Sequence, residues 1–298
     1  MIEIKDVKSI QIVPYTLMMS SISAVLALIY AIIFIIILGI TGLVVPGLSA
    51  GFLVTIAIAM ILLFPTASFL ISIVQSFLTA ILYNHLVPRL GAIKLGFEDM
   101  NEIKNVPVVP FALMTSVLSG IIIFLIMLIV GPILAVSLQA AAIAASSAGT
   151  AIPGLASVAA LGIVGMLILI IGLPIAMFIS IFIATAIMAI LYNTLAPKIG
   201  GIKFNFGNAV GNISEIESIP VFPFALITTI VITIFGLITQ LISFVIAIAS
   251  GQAVATQLIM LILSVVFDLV IGFIIYAISA FLYNYFRPKI GGIKLEIE

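Results

Sequence analysis

Leu82-Tyr83-Asn84-His85-Leu86-Val87-Pro88-Arg89-Leu90-Gly91-Ala92-Ile93-Lys94-Leu95 is the stretch that decides the fold, because close copies of it return twice along the chain. The second copy is Leu191-Tyr192-Asn193-Thr194-Leu195-Ala196-Pro197-Lys198-Ile199-Gly200-Gly201-Ile202-Lys203-Phe204. The third is Leu282-Tyr283-Asn284-Tyr285-Phe286-Arg287-Pro288-Lys289-Ile290-Gly291-Gly292-Ile293-Lys294-Leu295. We call this stretch the closing motif. Self-similarity at long intervals indicates tandem structural units.

A second, shorter motif begins each unit, and we call it the opening motif. Its copies are Val13-Pro14-Tyr15-Thr16-Leu17-Met18, Val109-Pro110-Phe111-Ala112-Leu113-Met114 and Phe222-Pro223-Phe224-Ala225-Leu226-Ile227. Opening and closing motifs alternate along the chain, so each pair bounds one unit. We therefore predict three tandem repeats, at residues 1–99, 100–210 and 211–298.

The chain between the motifs is apolar enough to cross a membrane. Of its 298 residues, 65% are hydrophobic and 7% are charged, whereas soluble proteins have roughly 45–50% and about 25%. A spanning helix needs about 20 apolar residues, and each interval from opening proline to closing tyrosine is long enough for two. The predicted breaks between the two helices contain Gly, Ser or Pro. They are residues 41–47, 146–154 and 250–252.

These observations predict an all-α polytopic membrane protein with six transmembrane helices, arranged as three two-helix repeats about a pseudo-threefold axis. The second helix of the first two repeats is predicted to be long, and Pro65 and Pro174 lie in it. Proline interrupts helical hydrogen bonding. Each of these prolines therefore either kinks a long helix or separates a short re-entrant segment from the span.

The basic residues predict the orientation of the spans. All ten lie at a terminus or between repeats, and none lies at a predicted hairpin tip. Because Lys and Arg are enriched in cytoplasmic loops, we predict a multi-pass protein of the cell membrane with both termini and both junctions in the cytoplasm. The ten residues are Lys5, Lys8, Arg89, Lys94, Lys104, Lys198, Lys203, Arg287, Lys289 and Lys294.

Short segments near the termini and junctions alternate apolar and polar residues, the pattern of a half-buried strand. The two segments at each junction are expected to form a hairpin, whereas the two segments at the chain ends have no hairpin partner. We therefore predict short cytoplasmic β-strands that cap the helix ends. The six segments are residues 2–12, 93–98, 102–106, 202–206, 214–219 and 293–297.

A two-span unit with a Leu-Tyr-Asn sequence and a following Gly-Gly pair resembles an uncharacterised transmembrane domain family found as single copies in actinobacteria. This chain departs from that family by carrying three copies and by having Gly91-Ala92 in the first. The resemblance implies a fold of two spans flanked by strands, and it implies no activity and no functional residue. The residues that carry it are Leu82-Tyr83-Asn84, Leu191-Tyr192-Asn193, Leu282-Tyr283-Asn284, Gly200-Gly201 and Gly291-Gly292.

The closing motif has a structural and a functional interpretation. In the structural one, which we favour, its Asn and Pro end the second helix and its glycines allow a turn into the strand. In the functional one, its basic residue and exposed glycine amides bind a ligand or a lipid headgroup. Three copies of a fold determinant are a simpler hypothesis than three copies of an active site. The structural residues are Tyr83, Asn84, Pro88, Tyr192, Asn193, Pro197, Tyr283, Asn284 and Pro288.

Asp268 is the one acidic residue predicted to lie inside a span. It precedes Tyr283 by 15 residues, which corresponds to roughly 22 Å along a helix. Spacing of four aligns it with small residues of the same helix, so it is predicted to face other helices. We predict an intramembrane polar site in which Gln75 or Gln240 is its neighbour. This site is either an interhelical hydrogen bond, which we favour, or a proton or cation site.

The remaining composition limits the classes of function. Ten basic and ten acidic residues balance, so we predict no nucleic-acid partner. One His and no Cys indicate neither a metal site nor another cofactor. No familiar catalytic motif is present in the sequence, and we predict that the protein is not an enzyme.

Two functional hypotheses follow from this sequence. The favoured one is a non-catalytic membrane scaffold or accessory subunit, which binds protein partners or copies of itself through its strand cap or helix faces. Membrane lipid is its other expected partner. The alternative is a pore, or a proton- or cation-coupled transporter that uses Asp268.

Overall fold

The structure is a computed structural model that describes residues 2–44, 49–147, 162–207 and 211–298. The chain forms two compact units. The first comprises Met1–Pro107 and Ile190–Glu298, and the second is Val108–Ala189.

Six helices in the described residues are long and apolar enough to span a membrane. The prediction of a polytopic helical membrane protein with six spans is therefore confirmed at that level. The fourth span begins as a short helix that passes through one π-helical stretch, Ile168–Gly172, into a longer helix. The helices are α1 Ile12–Val44, α2 Ala50–Leu90, α3 Val108–Ser147, α4 Gly162–Leu167, α5 Leu173–Ile199, α6 Val221–Ala249 and α7 Val254–Ile290.

The opening motif lies at the start of a helix in each copy. Pro14, Pro110 and Pro223 are the third residues of α1, α3 and α6. Backbone N–H groups in the first turn of a helix have no intrahelical acceptor. A proline, which has no N–H, is therefore tolerated there.

The predicted breaks between paired helices have different outcomes. The third break is confirmed, because residues 250–252 lie between α6 and α7. At the first break α1 continues to Val44, so the helix ends later than predicted, and residues 45–48 lie outside the described residues. At the second break α3 ends at Ser147, and residues 148–161 lie outside the described residues.

The two mid-helix prolines lie in continuous helices. Helix α2 runs without interruption through Pro65, and Pro174 is the second residue of α5, directly after the π-helical stretch. π-Helical turns are rare and occur mostly as single turns inside α-helices, where they and prolines are the usual causes of kinks. Of the two alternatives for these prolines, the long helix is therefore observed in the described residues.

Seven strands form one antiparallel sheet in the first unit, with the order β4-β3-β2-β1-β7-β6-β5. The end strands β1 and β7 were expected to have no hairpin partner, but they pair with each other in the middle of this order. The strands are β1 Ile2–Ile10, β2 Ile93–Glu98, β3 Glu102–Asn105, β4 Ile202–Lys203, β5 Asn205–Phe206, β6 Ile213–Ser218 and β7 Lys294–Ile297.

The sheet closes on itself, because β4 and β5 are separated only by Phe204. Ile202 pairs with Ile103 of β3, and Phe206 pairs with Ile216 of β6. One chain segment therefore joins the two ends of the strand order. We call this arrangement the strand ring. It is a larger feature than the separate short strands that the sequence predicted, and among the described strands each segment has neighbours on both sides.

Apolar side chains fill the strand ring. Phe97 is 1% exposed and Ile103 is 5% exposed. The ring of Phe97 packs edge-on against Phe206, with 6.0 Å between centroids and 73° between planes. Such edge-to-face pairs add to the stabilisation that burial provides. Ring residues such as Ile216 also pack with Met18, Ala280 and Tyr283 of the helices, so the ring and the helix ends share one hydrophobic core.

Candidate functional site

The tyrosine of each closing motif joins its helix to the strand ring. The Tyr283 hydroxyl donates to the Ile216 carbonyl at 2.7 Å and accepts from the Ile293 amide at 3.0 Å. It thereby links β6, which precedes α6 and α7, to the residue directly before β7, which follows them. The other two copies make the same bonds: Tyr83 with Val7 at 2.5 Å and Ile93 at 3.2 Å, and Tyr192 with Ile103 at 2.5 Å and Ile202 at 2.8 Å.

The asparagine of each closing motif binds both backbone groups of one residue. The Asn284 Oδ1 atom accepts from the Ile219 amide at 2.8 Å, and its Nδ2 donates to the Ile219 carbonyl at 2.8 Å. Ile219 lies between β6 and α6, where neither element supplies these partners. The same pairs of bonds join Asn84 to Ile10 at 2.8 and 2.9 Å, and Asn193 to Val106 at 2.7 and 2.8 Å.

These contacts correct the predicted role of Asn and Pro as helix stops. The helices continue past them, and Pro88, Pro197 and Pro288 lie inside the last turns. A proline near a helix end removes only one backbone bond, while the Asn amide is engaged outside its own helix. The helices end instead at glycines with left-handed φ, which favours glycine. These are Gly91 at 87°, Gly200 at 94° and Gly291 at 83°.

The second glycine of two copies lies against a strand backbone. A Cβ atom on Gly201 would lie 1.9 Å from the Ile103 carbonyl oxygen, and one on Gly292 would lie 2.4 Å from the Ile216 carbonyl oxygen. The corresponding residue of the first copy is Ala92. There the bond between the closing tyrosine and the following strand is the longest of the three, at 3.2 Å.

The glycine amides of the second and third copies already have acceptors. The Gly201 amide donates to Glu102 Oε1 at 2.6 Å, and the Gly292 amide donates to Glu215 Oε1 at 3.0 Å. The amides of Gly200 and Gly291 donate to carbonyls of the preceding helical turn. These groups are therefore not free to bind a ligand, which removes the amide part of the functional interpretation.

Glu102 lies within ion-pair distance of two lysines. Lys104 Nζ lies 2.7 Å from Glu102 Oε1, and Lys203 Nζ lies 3.5 Å from Oε2. Burial opposes ionisation, but hydrogen bonds from Lys104 and the Gly201 amide, with the charges of both lysines, hold the pKa of the Glu102 carboxyl below its usual value. The hydrogen bond to Glu102 likewise raises the pKa of Lys104. This pair stays ionised at neutral pH.

Asp268 has one of its two predicted neighbours. Gln240 Nε2 donates to Asp268 Oδ2 at 3.0 Å, and Ser264 Oγ donates to Gln240 Oε1 at 2.6 Å. These bonds join α6 to α7. Gln75 is not in this network but lines a cavity elsewhere in the same unit. The predicted polar site is therefore assembled from Asp268 and Gln240, with Ser264 in addition.

The cavity that Gln75 lines was not predicted from the sequence. It has a volume of about 650 Å³ and lies among α1, α2 and α7. Hydroxyl-bearing side chains contribute much of its wall, and the charged residue types are absent from its described lining. Tyr15 could have indicated this cavity from the sequence, because the other two opening motifs have Phe at that position. The polar lining residues include Tyr15, Ser23, Tyr30, Ser72, Gln75 and Tyr276.

Comparisons with known proteins give no functional assignment. No family model, curated protein or solved structure matches this chain. The resemblance to the actinobacterial family therefore stays a prediction. Within the described residues, no group of three or more His, Cys, Asp and Glu side chains is placed to hold a metal ion.

Proposed function

We propose that this protein is a non-catalytic integral membrane scaffold, built from three tandem two-helix repeats about a pseudo-threefold axis. One observation carries this proposal: the strand ring is closed, and all three closing motifs bind it through the same tyrosine and asparagine contacts. Each closing motif contributes four hydrogen bonds of about 1 kcal/mol net apiece. Helices attached in this way favour a rigid scaffold for partner proteins over a protein that undergoes large conformational changes.

The proposed partners are other membrane-spanning proteins, including copies of this chain, and they would contact the helix faces. Strand addition needs an exposed sheet edge, and a closed ring removes such edges. The helices in contrast carry many exposed apolar side chains, such as Leu63 at 66%, Ile129 at 73% and Val245 at 64%. Membrane lipid would cover the faces that partners do not.

We propose that both termini and the strand ring lie in the cytoplasm, with the helices in the cell membrane. The distribution of charge supports this orientation. All ten basic residues lie in the strand ring or in the helix turns next to it. Asp268 is the acidic residue that lies far from the ring along its helix. By the positive-inside rule, the ring end is the cytoplasmic end.

Site-specific photo-crosslinking in the native membrane tests the scaffold proposal. A photoreactive amino acid at Leu63, Ile129 or Val245 is expected to give at least one discrete protein adduct, because these side chains would face partners or lipid. Ile4, which is 61% exposed on the strand ring, is the matched control and should give none. Lipid adducts alone at all three intramembrane positions would contradict the proposal.

A second candidate function, proton or cation transport, is favoured by the Asp268 network. A carboxylate inside a span is costly and often marks an ion pathway. Against this, Gln240 and Ser264 lie in the same helical pair as Asp268. An interhelical hydrogen bond therefore accounts for its position without a pathway through the protein.

Two substitutions of Asp268 separate these candidates. Asp268→Asn keeps the shape and the hydrogen-bonding capacity, so a structural role predicts unchanged thermal stability in detergent. Asp268→Leu removes the bond to Gln240 and should cost about 0.6 kcal/mol, the average for such bonds in membranes. Proton and cation flux into liposomes is measured for both variants, with Asp99→Asn as a control outside the spans. Flux in the native protein that is lost in Asp268→Asn alone would establish transport and overturn the scaffold proposal.

A further inference from the structure

The ten basic residues divide into two groups by their ion pairs. Seven lie within ion-pair distance of a carboxylate, and these carboxylates are all in or next to the strand ring. Arg89, Lys198 and Lys289 have no such carboxylate in the described part of the chain. The seven paired residues are Lys5, Lys8, Lys94, Lys104, Lys203, Arg287 and Lys294.

The three residues without an ion pair occupy the same position of the closing motif. Each follows the motif proline and lies in the last turn of its helix, and each is exposed. The lysine five residues later in every copy is paired, to Asp6, Glu102 or Glu215. A cation in the last turn of a helix is favoured by the helix dipole. The dipole does not explain why this position alone lacks an acidic partner in all three copies.

Exposed apolar side chains adjoin these cations. Leu90 is 39% exposed beside Arg89, and Ile199 is 40% exposed beside Lys198. Near Lys289, Phe281 is 59% exposed and Tyr285 is 49% exposed. Aromatic and basic side chains at the end of a span are typical of the level of lipid headgroups. The three cations therefore lie where the apolar helix surface meets the polar ring.

Uncharged neighbours hold two of the cations in place without neutralising them. The Lys289 ammonium lies 3.4 Å from the centre of the Tyr285 ring, and the Arg89 guanidinium hydrogen-bonds the His85 ring. A cation–π contact or a hydrogen bond to an imidazole ring orients a cation without bringing a carboxylate to it. These positive charges are thus available to an anion from outside the protein.

We propose that Arg89, Lys198 and Lys289 each bind the phosphate of an anionic phospholipid in the leaflet on the ring side of the membrane. The phosphate would meet the cation while the acyl chains lie along the exposed apolar side chains of the same helix. A soluble phosphate would use only the first of these contacts, so a lipid is the better fit. The proposal requires that the helices span a membrane, but it does not depend on the scaffold function.

Native mass spectrometry of the full chain tests this proposal. The protein in mild detergent is mixed with equal amounts of phosphatidylglycerol and phosphatidylcholine that carry the same acyl chains. The native protein is expected to retain phosphatidylglycerol preferentially. In the triple variant Arg89→Gln, Lys198→Gln, Lys289→Gln the preference should fall about fivefold per site, the equivalent of about 1 kcal/mol for each basic residue at an anionic surface.

The matched control is the triple variant Lys94→Gln, Lys203→Gln, Lys294→Gln, which removes the same charge from the same three motifs. It should keep the native lipid preference. An equal loss in both triple variants, or an unchanged preference in the first, would overturn the proposal. So would displacement of phosphatidylglycerol by inorganic phosphate at equal concentration. Thermal unfolding shows whether each variant is folded, and Lys198→Arg with Lys289→Arg should keep the preference because the charges are retained.

Discussion

Gly201→Ala is expected to weaken the attachment of the second closing motif to the strand ring, because the backbone at Gly201 lies closer to β3 than an alanine allows. The added Cβ would lie 1.9 Å from the Ile103 carbonyl oxygen and 2.9 Å from the Tyr192 hydroxyl. Both atoms belong to the hydrogen bond that joins this helix to β3. Because a backbone oxygen cannot rotate away, the two backbones must move apart, which weakens that bond. Overpacking of this kind costs about 3 kcal/mol or more when backbone has to move.

The measurement for Gly201→Ala is thermal unfolding in detergent, together with the fraction of monodisperse protein after extraction. Gly39→Ala is the matched control. Gly39 is an exposed glycine of α1, and a Cβ there would meet nothing within 4 Å. Alanine is the better helix former, so the control should be at least as stable as the native protein. A native unfolding temperature for Gly201→Ala would mean that the ring does not close through β4.

Asn284→Ala is expected to destabilise the third helical pair nearly as strongly. The substitution leaves the Ile219 amide and carbonyl without their side-chain partner, and Ile219 is only 9% exposed. An unsatisfied buried polar group costs about 1–3 kcal/mol. Two such groups give a loss of about 3 kcal/mol, measured by thermal unfolding in detergent.

Two further substitutions test whether the loss comes from the hydrogen bonds of the Asn284 amide. Asn284→Asp keeps the acceptor for the Ile219 amide and loses the donor, so an intermediate loss is expected. Asn205→Ala is the control, because Asn205 is exposed and its side chain donates to the Ser218 hydroxyl in the described part of the chain. Exposed side-chain bonds of that kind contribute little. Equal effects of Asn284→Ala and Asn205→Ala would refute a special role for the closing asparagine.

The helices were predictable because each span is specified locally by a long apolar run, and the first helix of each pair also begins at an opening proline. The role of the closing asparagine was not predictable in this way. Asn284 and Ile219 are 65 residues apart in sequence, and no local pattern distinguishes an amide that ends its helix from one that binds a distant backbone. The recurrence of the asparagine predicted its importance, but only the long-range contact reveals its role.

The closure of the sheet and the neighbour of Asp268 were likewise not predictable from local sequence. Alternation predicted short strands near residues 202–206, but closure depends on the break between β4 and β5 at Phe204, where one segment changes from pairing with β3 to pairing with β6. For Asp268, Gln240 and Gln75 were equal candidates by polarity. Only Gln240 belongs to the same helical pair, and adjacent antiparallel helices bring such residues together.

The pairing of the first and last strands has a consequence for biosynthesis. The Asp6 amide donates to the Glu298 carbonyl at 2.7 Å, and the Glu298 amide donates to the Asp6 carbonyl at 3.0 Å. Because translation runs from β1 to β7, the edge of β1 that pairs with β7 has no partner while the residues of the six helices are synthesised. Contacts between residues so distant in sequence form slowly, and an unpaired edge is a template for aggregation. The β1–β7 pairing therefore cannot form before β7 has been synthesised, and until then β1 presents an unpaired edge.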